Sequence, residues 1–120
     1  MKKLIIAFII LICSLYSYSS NANWEFVAVG ADSNNTGFRY YVDFSDLSKS
    51  NKFVYYWQLE DYPGRDKYGD KSNKILWELD CNIPIKQRYL TWFYYTENMA
   101  NGKVSSVGKE SKKWIYPSKK

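Results

Sequence analysis

Phe53-Val54-Tyr55-Tyr56-Trp57-Gln58-Leu59-Glu60 is the stretch that decides the fold. At a spacing of two, Phe53, Tyr55, Trp57 and Leu59 share one side, and Val54, Tyr56, Gln58 and Glu60 the other. That spacing is the period of a β-strand, and aromatic residues favour pleated, half-buried surfaces. A second such run, residues 88–95, reads Arg-Tyr-Leu-Thr-Trp-Phe-Tyr-Tyr. Strict alternation puts Arg88, Leu90, Trp92 and Tyr94 on one side, against Tyr89, Thr91, Phe93 and Tyr95. Both sides of both strands carry large rings. A chain this short cannot bury them all, so some tyrosines must face solvent.

Shorter runs extend the pattern in both directions. Trp24, Phe26 and Ala28 alternate with Glu25, Val27 and Val29, and Phe38, Tyr40 and Val42 alternate with Arg39, Tyr41 and Asp43. Asp32, Ser33, Asn34, Asn35 and Gly37 between them are turn residues, so the two runs read as a hairpin. Residues 43–51 are a polar break in which Asp43 or Ser45 can cap one helical turn through Leu47. Residues 61–73, with Pro63, Gly64 and Gly69, are a polar connection. Ile75, Trp77, Leu79 and Cys81 then alternate with Lys74, Leu76, Glu78 and Asp80, and Pro84 ends that strand. Asn101-Gly102 marks another turn before a short strand at Val104–Val107. Lys112–Pro117, with Trp114 and Tyr116, is a candidate seventh piece. No long stretch after the N-terminus shows an apolar period of 3.6. The expected fold is mainly β: a single antiparallel meander sheet of about six strands, curved or partly closed.

The N-terminus reads differently. Lys2 and Lys3 precede an almost wholly apolar stretch, Leu4–Leu15, and small residues follow at Ser20 and Ala22. A basic end, a short apolar core and a small-x-small site make a signal peptide. Residues 1–22 are therefore expected to be removed between Ala22 and Asn23, leaving residues 23–120 as one domain. The apolar core falls short of the ~20 residues that span a bilayer, so no transmembrane segment is expected in the mature chain. An uncleaved anchor and lipidation at Cys13 are the alternatives, and the bulky Ile12 before Cys13 weighs against lipidation. Taking Lys2 and Lys3 from the 17 basic residues leaves 15 against 12 acidic, a mild excess. Lys112, Lys113, Lys119 and Lys120 concentrate it at the C-terminus, where it serves solubility.

The chain has no histidine, which excludes Ser–His and Cys–His nucleophile pairs and zinc sites of the Cys/His type. No cofactor or metal is expected. Asp43 with Asp46, and Glu60 with Asp61, are neighbouring carboxylates. Catalysis needs such groups held apart across a cleft, so a hydrolase built on them is the weakest reading. Asp66 and Asp70 lack the ligand spacing of a calcium loop. Asn34-Asn35-Thr36 matches a glycosylation acceptor by chance. Once the leader is gone Cys81 is the one cysteine left. It is expected unpaired and packed as a small hydrophobe, with an intermolecular bridge, and hence a dimer, left open. Tyrosines interleaved with basic residues can stack on nucleic acid. Export and the mild charge argue against that ligand and for protein contacts. The candidate binding residues are Arg39, Tyr41, Tyr56, Arg88 and Tyr94.

Certain residues also fall in a familiar order. Trp24 opens the domain, Gly37 leads to Tyr41-Val42-Asp43, and Trp57-Gln58-Leu59-Glu60-Asp61-Tyr62 closes the long strand. Leu79-Asp80-Cys81, Arg88-Tyr89 and Trp114-Ile115-Tyr116-Pro117 follow. The sequence resembles the surface-adhesin protein E-like domain of Gram-negative bacteria over essentially the whole mature chain. The resemblance implies an antiparallel sheet, a periplasmic or cell-surface (outer membrane) location, and attachment to host extracellular-matrix proteins. Relatives continue past the position of Pro117 into a terminal helix, often with a second cysteine. Here the sequence stops at Lys120, which leaves an intrachain disulfide at Cys81 unsupported. The expected function is an exported non-enzymatic binding module, and the rival is a periplasmic accessory protein with no host ligand.

Overall fold

The computed structural model describes residues 8–9, 24–31 and 37–117. Cys13, Asn34–Thr36 and the expected cleavage pair Ala22 and Asn23 lie outside them. The described chain forms seven strands: β1 (Glu25–Ala31), β2 (Gly37–Val42), β3 (Ser48–Ser50), β4 (Phe53–Asp61), β5 (Ser72–Asp80), β6 (Lys86–Tyr95) and β7 (Val104–Gly108). All pairings are antiparallel, in the order β1-β2-β4-β5-β6-β7, with β3 pairing β4 off that path and no closure between β1 and β7. The single sheet is as expected. Its seventh strand is β3, within the stretch read as a polar break, whereas residues 112–117 contribute only a bridge between Gln87 and Ile115.

β2 and β3 share one edge of β4, end to end: β2 covers residues 58–61 and β3 covers 53–55. A 3-10 turn, Phe44–Asp46, joins them, and Asp43 caps it by accepting from the Ser45 backbone N–H at 3.1 Å. The turn exists because the chain must leave the sheet plane to drop Phe44 and Leu47 into the core. Asn51 closes the β3–β4 hairpin with φ 54°, in the left-handed region that asparagine tolerates.

The core lies on one face, called inner here. Val42, Phe44, Leu47, Val54, Tyr56, Trp77 and Leu79 form its buried cluster, with Val27, Ile75, Ile85 and Tyr89 against it. Burying each large aliphatic chain contributes roughly 1.5–3 kcal/mol. Tyr56 is fully buried and its hydroxyl donates to Gln87 Oε1 at 3.1 Å, so no polar atom of it is stranded. Phe8 and Ile9, helical residues of the N-terminal apolar stretch, also pack into this cluster.

Two bulges correct the expected faces. In β1 the register slips at Val27, so Phe26 pairs Tyr41 while Ala28 pairs Tyr40. Phe26 and Ala28 thus point to opposite faces, one 51% exposed and the other buried. In β6 the slip comes at Leu90: Arg88 pairs Glu78 and Tyr89 pairs Trp77, but Thr91 pairs Leu76 and Trp92 pairs Ile75. Arg88 therefore shares the outer face with Thr91, Phe93 and Tyr95, not with Trp92 and Tyr94. One extra residue in a strand reverses the alternation beyond it.

Cys81 also differs from expectation. It is disulfide-bonded, not an unpaired thiol. The other cysteine of the sequence, Cys13, lies outside the described residues. No helix among the described residues is long and apolar enough to cross a membrane.

Candidate interaction surface

The outer face is built from the alternate positions. Arg39 and Tyr41 come from β2, Phe53, Tyr55 and Trp57 from β4, Lys74 and Glu78 from β5, and Lys86, Arg88 and Phe93 from β6. Rings in the middle of a solvent-facing sheet need cover, and long basic side chains supply it by laying their stems on apolar area. The Lys74 ammonium sits 4.8 Å from the Trp57 ring centre and 5.7 Å from that of Phe93. The Arg39 guanidinium lies 5.5 Å over Phe26. At the far end Trp114 stacks on Phe53 with centres 5.8 Å apart, while Lys86 and Arg88 approach Trp114 at 4.7 and 4.8 Å. Each such contact contributes about 0.5–1 kcal/mol where exposed.

Charge on this face is unbalanced. Glu78 is neutralised by Arg88, whose Nε donates at 2.6 Å, and also accepts from the Tyr55 hydroxyl at 2.8 Å. That hydrogen bond to the carboxylate holds the Tyr55 hydroxyl above its ordinary pKa. Asp80 is paired with Lys52 at 3.6 Å. Arg39, Lys74 and Lys86 have no carboxylate partner among the described residues. Among the described residues the face thus offers three cations in no ion pair, set among rings, against one such carboxylate, Asp61, and this excess suits acidic groups on a large, partly apolar ligand.

Of the candidate binding residues, Arg39, Tyr41 and Arg88 stand on this face, with Tyr41 edge-on to Phe26 at 5.9 Å. Tyr56 does not: it is sealed in the core and touches no ligand from outside, which corrects its candidacy. Tyr94 lies on the inner face beside Asn73, away from the other three. Lys74, Trp57, Phe93, Lys86 and Trp114 were not among the candidates. The alternation of residues 53–60 and 74–81 puts Trp57 and Lys74 on strand faces, but only the register joins them.

The carboxylates serve structure. Asp43 caps the 3-10 turn. Glu60 and Asp61 point to opposite faces, and Asp61 accepts from the Met99 backbone N–H at 2.7 Å and from Asn98 at 3.1 Å. Asp66 accepts from the Tyr68 and Asp70 backbone N–H groups, each at 2.9 Å. The described residues include no cluster of three or more histidine, cysteine or acidic side chains fit to hold a metal ion.

No curated protein and no solved structure gives a significant match to this chain. A family model does, over residues 24–120, which takes in every strand and the whole outer face. The chain belongs to the surface-adhesin protein E family.

Proposed function

We propose that this chain is an exported, non-enzymatic adhesin that binds a host extracellular-matrix protein through the outer face of its sheet. The observation that carries the reading is the band of unneutralised cations, Arg39, Lys74 and Lys86, seated on or beside aromatic rings. Membership of a surface-adhesin family supports a binding role and an exported life. The family match opens at Trp24, just after the expected cleavage between Ala22 and Asn23, which supports a leader of 22 residues. Cleavage there would take Phe8 and Ile9 away with the leader and bare the core patch they cover.

Rings give a ligand large contact area at low entropy cost, and the cations steer an acidic surface towards them. The test is retention of the purified chain on immobilised extracellular-matrix proteins across a salt series. The expected result is saturable retention that weakens with salt and drops at least tenfold in an Arg39→Glu, Lys74→Glu, Lys86→Glu variant of unchanged Tm. Retention that ignores both salt and the three substitutions would overturn the outer-face assignment. Protease shaving of intact cells separates the two locations. Loss of the chain from unbroken cells supports display, and protection until the outer membrane is breached favours a periplasmic accessory role.

A further inference from the structure

The inner face has a second, chemically different end. Directly across the sheet, Tyr40 on β2 pairs Glu60 on β4, Glu60 pairs Asn73 on β5, and Asn73 pairs Tyr94 on β6. Tyr62, just past the end of β4, leans into this row and accepts from the Asn73 amide. The same amide donates to Glu60 Oε1 at 2.9 Å, and Gln58 Nε2 donates to Glu60 Oε2 at 3.3 Å. Both amide hydrogens of Asn73 are therefore committed. Its own oxygen, Oδ1, is buried with no donor.

The row holds no cation among the described residues: its donors are the two side-chain amides and the hydroxyls of Tyr40, Tyr62 and Tyr94. Glu60 makes no ion pair among the described residues, and the inner positions of the strands beside it, Phe38, Val42, Ile75 and Trp92, carry no lysine or arginine. A half-buried carboxylate with no cation and a buried amide oxygen with no donor are each costly. The surrounding rings are held in place. A Cβ added to Gly30 would meet the Tyr40 ring at 2.6 Å and that of Phe38 at 2.9 Å, and one on Gly108 would meet Trp92 at 1.7 Å. Those glycines let the rings lie flat on the strands. Phe38 then packs edge-on to Tyr40 and Tyr62, with centres 5.1 and 6.1 Å away, and Trp92 packs edge-on to Tyr94 at 5.1 Å.

We propose that this row is a binding site for a primary ammonium group, with Glu60 as counter-ion, Asn73 Oδ1 as a second acceptor and Tyr40, Tyr62 and Tyr94 as its aromatic walls. Rings attract a cation by their faces, and the ammonium supplies the positive charge that Glu60 lacks beside it. N–H donors satisfy both acceptors, which a quaternary ammonium cannot do. The pinned rings need no ordering on binding. The site faces away from the outer band and does not rest on the adhesin reading. The ammonium belongs either to a lysine side chain of a partner protein or to a free amine.

The test titrates the full chain with Nα-acetyl-lysine methylamide, cadaverine and tetramethylammonium, followed by the NMR shifts of the Trp92 indole and Tyr94 ring. Saturable binding of a primary amine, at least tenfold weaker in Glu60→Gln and for tetramethylammonium, is the expected result. Tighter binding of the lysine derivative assigns the ammonium to a protein side chain, and tighter binding of cadaverine to a free amine. Absence of saturation by about 100 mM, or equal binding by a Glu60→Gln chain of undiminished Tm, overturns the site. Equal binding of tetramethylammonium overturns the role of Asn73.

Discussion

On the outer face the large rings are half-exposed, and basic side chains lie over Phe26, Phe53, Trp57, Phe93 and Trp114. On the inner face the rings are buried or lean on one another, and Glu60, the carboxylate that β4 turns to that face, has no ion-pair partner among the described residues. The same residue types, tyrosine, tryptophan and phenylalanine, thus do opposite work on the two sides of one sheet. Their partners decide the difference. Aliphatic neighbours turn a ring into core, and cationic neighbours keep it wet and available. If that division holds, substitutions on the inner face act on stability and those on the outer face act on binding.

The largest expected effect tests the core side. Leu79→Ala removes a fully buried side chain and should cost about 2–5 kcal/mol in urea unfolding. Trp57→Ala, on the outer face, should cost no more than about 1–2 kcal/mol despite deleting a larger group, because solvent already reaches it. Equal losses would erase the distinction between the faces. Next comes Gly108→Val. Its side chain would occupy the space of the Trp92 ring, so the ring must leave its seat on β7 at a cost of about 1–3 kcal/mol. The tryptophan emission should shift to the red, and the Tyr94 ring should lose its edge-on partner.

A smaller effect concerns protons. Burial pushes the Glu60 carboxyl above its usual 4.5, against a lowering from the Asn73 hydrogen bond. The groups facing it are Tyr40 from β2, Gln58 and Tyr62 from its own side, Asn73 from β5 and Tyr94 from β6, none of them cationic. The folded chain then holds the Glu60 proton more tightly than the unfolded chain does. Its contribution to stability is complete below the unfolded value and is lost as pH rises through the folded one. Glu60→Gln should therefore unfold at a higher temperature than the parent at neutral pH, with the gap closing towards pH 4. A gap that widens on acidification would reverse this sign. The smallest stability effects belong to the outer cations. Arg39→Ala and Lys74→Ala should each change unfolding free energy by about 0.5–1 kcal/mol, while matrix retention falls by a much larger factor.

Much of the fold is legible in the alternation itself. Residues 53–60 and 74–80 predict strands whose faces the structure repeats position by position, because side chains in an unbroken strand have nowhere else to point. The bulges at Val27 and Leu90 leave no such trace. Alternation continues on either side of each, and only the partner strand shows that one residue has been skipped. That is why Arg88 reads as a neighbour of Trp92 and Tyr94 but stands on the other face. Tyr56 was misread for a related reason. Both sides of β4 carry rings, and no local rule says which side the core will choose. The contact of Lys74 with Trp57 and Phe93 joins three strands, so it appears only once their register is known. The row Tyr40, Glu60, Asn73, Tyr94 is invisible for the same reason, since its members are spread over 55 positions of the chain.

The most direct test of the division between faces is a lysine-acetylation footprint of the chain, free and bound to immobilised matrix protein, read by mass spectrometry. If the division is right, binding protects Lys74 and Lys86 and leaves Lys103 and Lys109 reacting as they do in the free chain. Protection confined to Lys103 and Lys109, with Lys74 and Lys86 unchanged, would contradict it.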